Sequence, residues 1–312
     1  MRKLTINDGN SVYLKAIILN IVTQFVFSVV YVIVAMLNGW DTAAMPMLVS
    51  LIGMILLQLA FFIAAATTFG KNKVAIPYFP RRVKITGVLF SVLIAVILLT
   101  CFSWLGEWFY LFLETIGYKT TSLEFNGAVE ITLAAFVTVI LAPVMEETVF
   151  RSALLGGLAT RYKKWTCVVL SGLCFSLMHM SAEQTVYQFF LGCACALVTI
   201  ESGNYLYAII IHAFNNLAAI LLSLLGPESV VNALVFPGNP LISVPVTLGL
   251  AALGGIAIVL ICKKMRVAIE SRGEEGQPSG IIASLPYKLT FIVAVVISAV
   301  MWISNFIGSM IL

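Results

Sequence analysis

Charge is what this chain has least of. Only 10% of its 312 residues are Asp, Glu, Lys or Arg, whereas 61% are hydrophobic and the mean hydropathy is +1.05. An ordinary soluble domain carries about 25% charged residues, so this composition excludes one and places the chain in a membrane. Histidine is scarcer still, with two copies, His179 and His212. The six cysteines, Cys101, Cys167, Cys174, Cys193, Cys195 and Cys262, fall inside or at the ends of apolar runs. They read as small apolar residues, which leaves neither a disulfide framework nor a thiol catalyst. No internal repeat is present, and no small-residue cleavage site follows the first apolar run, which is too long for a signal-peptide core and is kept as an anchor.

Apolar runs are what the sequence has in abundance. Clear membrane-span candidates occupy 13–37, 44–68, 85–104, 205–224, 241–262 and 288–311. Three harder ones lie at 130–160, which passes Pro143 and then carries charge, and at 166–181 and 186–201, which are short. With the N-terminus in the cytoplasm, nine alternating spans put Arg2, Lys3, Lys15, Lys71, Lys73, Arg81, Arg82, Lys84, Arg161, Lys163, Lys164, Lys263, Lys264, Arg266, Arg272 and Lys288 inside, and only Lys119 outside. That asymmetry is the positive-inside pattern, and it accounts for the net charge of +4 without a nucleic-acid partner. The expected fold is all-α: a polytopic membrane protein of eight or nine transmembrane helices forming a single domain over 1–312. The polar stretch from Arg272 to Gly280 is a loop.

Three polar groups interrupt the apolar runs. A charge at the bilayer centre costs roughly 2.5 to 3.5 kcal/mol on insertion scales, so such residues are retained for a task. In Glu146-Glu147-Thr148-Val149-Phe150-Arg151, a helix sets Glu147 and Arg151 four residues apart, where they pair. Glu146 then projects about 100 degrees away, free for another partner. The bland reading is a helix start after Pro143 with an acidic first turn. In Phe175-Ser176-Leu177-Met178-His179 the aromatic ring and imidazole share a helix face, although a lone histidine there also suits an interfacial or core position. His212-Ala213-Phe214-Asn215-Asn216 places an imidazole and the Asn216 amide on one face, where the asparagines could equally serve helix packing.

Two carboxylates, two imidazoles and an amide without a usable Ser or Cys nucleophile point to attack by activated water. Glu146, oriented by His179, takes the proton as water attacks a carbonyl carbon; His212 and Asn216 donate to the oxyanion, and Glu147 with Arg151 holds the helix geometry. Depths counted along the helices place these groups in a cavity opening toward the cytoplasm.

The ordered set Glu-Glu-x-x-Phe-Arg at 146–151, Phe-x-x-x-His at 175–179 and His-x-x-x-Asn at 212–216 resembles the CAAX protease and bacteriocin-processing family. That family includes the Ras-converting CAAX prenyl endopeptidases and the bacterial Abi proteins. The resemblance covers about residues 130–224 and is silent on the spans around them. It implies an intramembrane endopeptidase whose catalytic residues match Glu146, His179, His212 and Asn216. Its substrate would be a membrane-associated peptide or protein: a CAAX-type protein, a pheromone or a bacteriocin precursor, cut in a bacterial cell membrane. Zinc held by Glu146, His179 and His212 is the alternative to a metal-free site; the lack of a His-Glu-x-x-His helix and the presence of Asn216 favour the metal-free one. Two non-protease alternatives remain, a bacteriocin-immunity or scaffold protein of the same family and a proton-coupled transporter, for which no repeated broken half-helices are found.

Overall fold

The computed structural model describes residues 1–41, 45–70, 73–79, 83–119, 125–225, 240–266 and 286–311. Lys71, Arg81, Arg82, Arg272 and the loop expected from Arg272 to Gly280 lie outside these described residues. The apolar runs fold as helices: α1 (Ile6–Asn38), α2 (Met47–Phe69), α3 (Ile85–Cys101) and α4 (Ser103–Thr115) come first. They are followed by α5 (Ala128–Leu158), α6 (Lys164–Met178), α7 (Thr185–Ser202), α8 (Leu206–Leu225), α9 (Pro240–Lys264) and α10 (Tyr287–Ile311). Among the described residues eight segments are long and apolar enough to cross a membrane, with α3 and α4 together forming one of them. Of the two span counts expected, eight is therefore the one matched by length. The ninth segment, α6, has 15 residues, about 22 Å at 1.5 Å per residue, and is too short to cross alone.

The helix ends divide into two groups. At one end Arg2 N–H donates to Lys73 O (3.2 Å) and Ala75 N–H to Arg2 O (2.8 Å), and Tyr205 N–H reaches Tyr78 O (3.0 Å). At the same end Glu201 binds Lys164 (2.7 Å) and Arg266 (2.7 Å). At the other end Lys119 N–H donates to Ser309 O (3.1 Å) and Asn305 Nδ2 to Met180 O (3.0 Å). The first end gathers the lysines and arginines, as the charge pattern requires of a cytoplasmic face.

Two local features position the site. In α5 the backbone leaves α-helical pairing twice, forming π-helical turns at Phe136–Leu141 and Thr148–Leu154, with Glu146 and Glu147 on the α-helical stretch between them. Such turns, with their i to i+5 bonds, release carbonyls from the regular ladder and shift the register of the residues beyond them. In the second feature α6 and α7 meet at glycines: a Cβ on Gly192 would lie 2.8 Å from the Cα of Gly172. Small residues at this crossing let the two backbones touch, which is how membrane helices gain packing where no hydrophobic drive separates them from lipid.

Candidate active site

Glu147 is fully buried and receives two partners. Arg151 Nε lies 2.8 Å from its Oε2, and His212 Nδ1 lies 3.0 Å from its Oε1. The i,i+4 pair with Arg151 is the one expected from the spacing; the bond to His212 ties α8 to α5 as well. Arg151, also fully buried, extends to Gly192 O on α7 (3.4 Å) and sets its guanidinium carbon 4.5 Å from the centre of the Phe175 ring. A lone buried carboxylate would be costly, so the guanidinium and imidazole beside it are what make Glu147 tolerable here.

Glu146 points to a different partner set, as the 100-degree offset demands. Its Oε1 accepts a hydrogen bond from Gln58 Nε2 on α2 (3.1 Å), while Oε2 is buried without a hydrogen-bond partner and lies 3.9 Å from His212 Nε2. A gap of that size is too long for a direct hydrogen bond and allows a bridging water off the line of centres. His212 thus stands between the two glutamates, one ring nitrogen toward each.

His179 ends α6 and turns its Nδ1 to Phe175 O (2.9 Å). With Nδ1–H donated there, Nε2 is left as the lone-pair nitrogen of the neutral ring. Phe175 links the two imidazoles: its ring meets His179 edge-on at 4.7 Å and His212 at 5.5 Å between centroids. No hydrogen bond joins His179 to Glu146. Asn216 donates through Nδ2 to Thr138 O (2.7 Å), a carbonyl in the first π-helical turn of α5, so one of its two N–H groups is occupied in holding α8 against that turn. Its neighbour Asn215, buried, accepts from the Tyr187 hydroxyl.

The structure therefore brings Glu146, Glu147, Arg151 and His212 into one connected group, joins His179 to it through Phe175, and anchors Asn216 beside it. Gln58 is the residue sequence reasoning missed, and a single glutamine in the apolar run of α2 was its only signal. The cavity expected to open toward the cytoplasm is not formed in this conformation: Glu146 is 7% and His212 2% exposed. The closely packed Phe175 and the helices α2, α5 and α8 around these groups close the space. Among the described residues no three His, Cys, Asp or Glu side chains are grouped closely enough to hold a metal ion.

A helical multi-pass membrane protein that concentrates two carboxylates, two imidazoles and a guanidinium at one buried point is of a catalytic or ion-handling kind. Residues 128–218 match the family model described as type II CAAX prenyl endopeptidase Rce1-like, so this segment of the chain is similar to that family. The match begins with α5 and ends within α8, so it takes in Glu146, Glu147, Arg151, His179, His212 and Asn216 and leaves Gln58 outside. No curated protein and no solved structure matches the chain.

Proposed function

We propose that this chain is an intramembrane endopeptidase that hydrolyses a peptide bond in a membrane-associated peptide or protein, with Glu146 as general base. The observation that carries this reading is the asymmetry of the Glu146 carboxylate: one oxygen is held by Gln58, and the other is buried, unpartnered and turned toward His212. An oxygen left in that state is placed to accept a proton.

A water lodged between Glu146 Oε2 and the lone pair of His179 Nε2 gives its proton to the carboxylate as its oxygen attacks the carbonyl carbon. The oxyanion is met by His212, which enters the cycle with both ring nitrogens protonated and keeps both protons throughout, Nε2–H facing the oxyanion and Nδ1–H the Glu147 carboxylate. Glu147 supports that state through Nδ1. Asn216 offers its remaining N–H. The C–N bond breaks as Glu146 returns the proton to the leaving amine, and the carboxylate is regenerated without a covalent intermediate. No metal takes part in these steps. In a bacterial membrane the substrates in view are a pheromone or bacteriocin precursor or a CAAX-like protein.

The test is cleavage of membrane-anchored peptides by purified protein in proteoliposomes, compared with Glu146→Gln and repeated with a chelator. Cleavage by the wild type and none by the variant supports the reading. Equal behaviour of the two overturns it in favour of a scaffold or immunity role, and loss on chelation reversed by zinc overturns the metal-free mechanism.

A further inference from the structure

At the end of the molecule that gathers the basic residues, α1, the end of α5 and the start of α10 leave a cavity of about 170 Å3. Asn10, Tyr162, Tyr287, Lys288 and Phe291 are among its lining residues. It lies away from the glutamate–histidine group and no step above uses it. Three observations give it a chemical character. The first turn of α10 opens here, and its leading N–H groups have no carbonyl within the helix, which favours an anion. Lys288 is exposed at its edge, and Arg161 stands nearby with its guanidinium carbon 6.0 Å from the Tyr287 ring centre. Asn10 is fully buried: its Nδ2 donates to Tyr287 O (2.9 Å), which fixes the orientation of the amide and leaves Oδ1 an acceptor with no partner.

An anion alone would not satisfy Asn10, because a carbonyl oxygen needs a donor. An occupant that carries a negative phosphate and, close to it, an O–H or N–H group meets both requirements. The cavity also borders lipid: Ile292, one of its walls, is 56% exposed, and Leu289 beside it 50%. We propose that this is a binding site for the headgroup of a glycerophospholipid of the cytoplasmic leaflet. Its phosphate lies against Lys288 and the start of α10, its terminal hydroxyl or ammonium donates to Asn10, and its acyl chains run along the outer face of α10. Phosphatidylglycerol and phosphatidylethanolamine share this chemistry; phosphatidylcholine, whose quaternary nitrogen has no hydrogen to give, does not.

The full chain, reconstituted in nanodiscs of equal parts phosphatidylglycerol, phosphatidylethanolamine and phosphatidylcholine, is released and its retained lipid read by native mass spectrometry. The wild type keeps a lipid with a donor-bearing headgroup, phosphatidylglycerol ahead of phosphatidylethanolamine if net charge decides and the two equal if the donor does. Lys288→Ala, an exposed change that leaves the fold intact, lowers retention of phosphatidylglycerol about five-fold. Asn10→Ala removes the preference over phosphatidylcholine. The proposal is overturned if the wild type retains all three lipids alike, or if retention in both variants equals that of the wild type, the result expected of a cavity filled by water.

Discussion

Glu147 carries no step of the proposed chemistry, yet the site depends on its two bonds. Removing Arg151 as Arg151→Met leaves that carboxylate buried with only His212 beside it. Breaking a buried pair from one side costs about 3 to 5 kcal/mol, so the variant is expected to lose folded yield and thermal stability, measured by fluorescence size-exclusion after heating. Gln58 is different, because Gln58→Leu removes a hydrogen bond from Glu146 without stranding a charge partner. The expected result is folded protein, less stable by about 1 to 3 kcal/mol for the buried oxygen left unpartnered, whose kcat falls about 10- to 100-fold with KM little changed, since a base displaced by a fraction of an ångström loses its alignment. Unchanged kcat would remove Gln58 from the machinery. Composition and spacing make Glu147 and Arg151 legible, because two charges four residues apart in an apolar run have few other uses. Gln58 was not, since one glutamine in a membrane helix reads equally as packing glue.

The helix that carries both glutamates is not a regular one, and apolar periodicity gives no sign of this: a run apolar on nearly every face has no phase to shift. The first π-helical turn of α5 precedes Glu146, and deleting Val139 within it should let the segment relax to α-helix. That deletion keeps the faces of α5 on either side of the turn in place but returns Thr138 O to the regular helix ladder and withdraws it from Asn216. Helix content by circular dichroism should stay the same while cleavage is lost; retained cleavage would show that the turn has no role. The crossing of α6 and α7 is similarly exacting, because any side chain at Gly192 would run into Gly172 and displace the carbonyl that Arg151 reaches. The short length of α6 was visible in the sequence as a weak span, and its place in the packing explains why it need not be longer: it lies against α7 and α10 and brings His179 into the interior.

Across the whole molecule, charge asymmetry and contact geometry sort the helix ends into the same two groups, and the positive-inside rule orients them. The ends of α1, α6, α7 and α9 that carry or adjoin Arg2, Lys164 and Arg266 bond to one another or to the segment at 73–79, whereas Lys119 sits at the opposite end against α10. Sequence alone supplied this orientation because basic residues outside the spans are few and almost all fall on one side; it could not supply which loops touch. In a cysteine-free background, Lys119→Cys should react with a membrane-impermeant maleimide in intact cells, and Lys163→Cys only after the membrane is opened. Reversed labelling would turn the molecule over and take the lipid site to the outer leaflet. Because Glu146, Glu147 and His212 are buried in this conformation, a substrate must part helices to reach them. The polar contacts between helices at the end that gathers the basic residues, Glu201 with Lys164 and Arg266, resist that opening there. Replacing Glu201 with Gln weakens both bonds without touching the buried group. If substrate enters between these helix ends, cleavage by Glu201→Gln is faster than by the wild type at limiting substrate; an unchanged rate excludes that end as the entry.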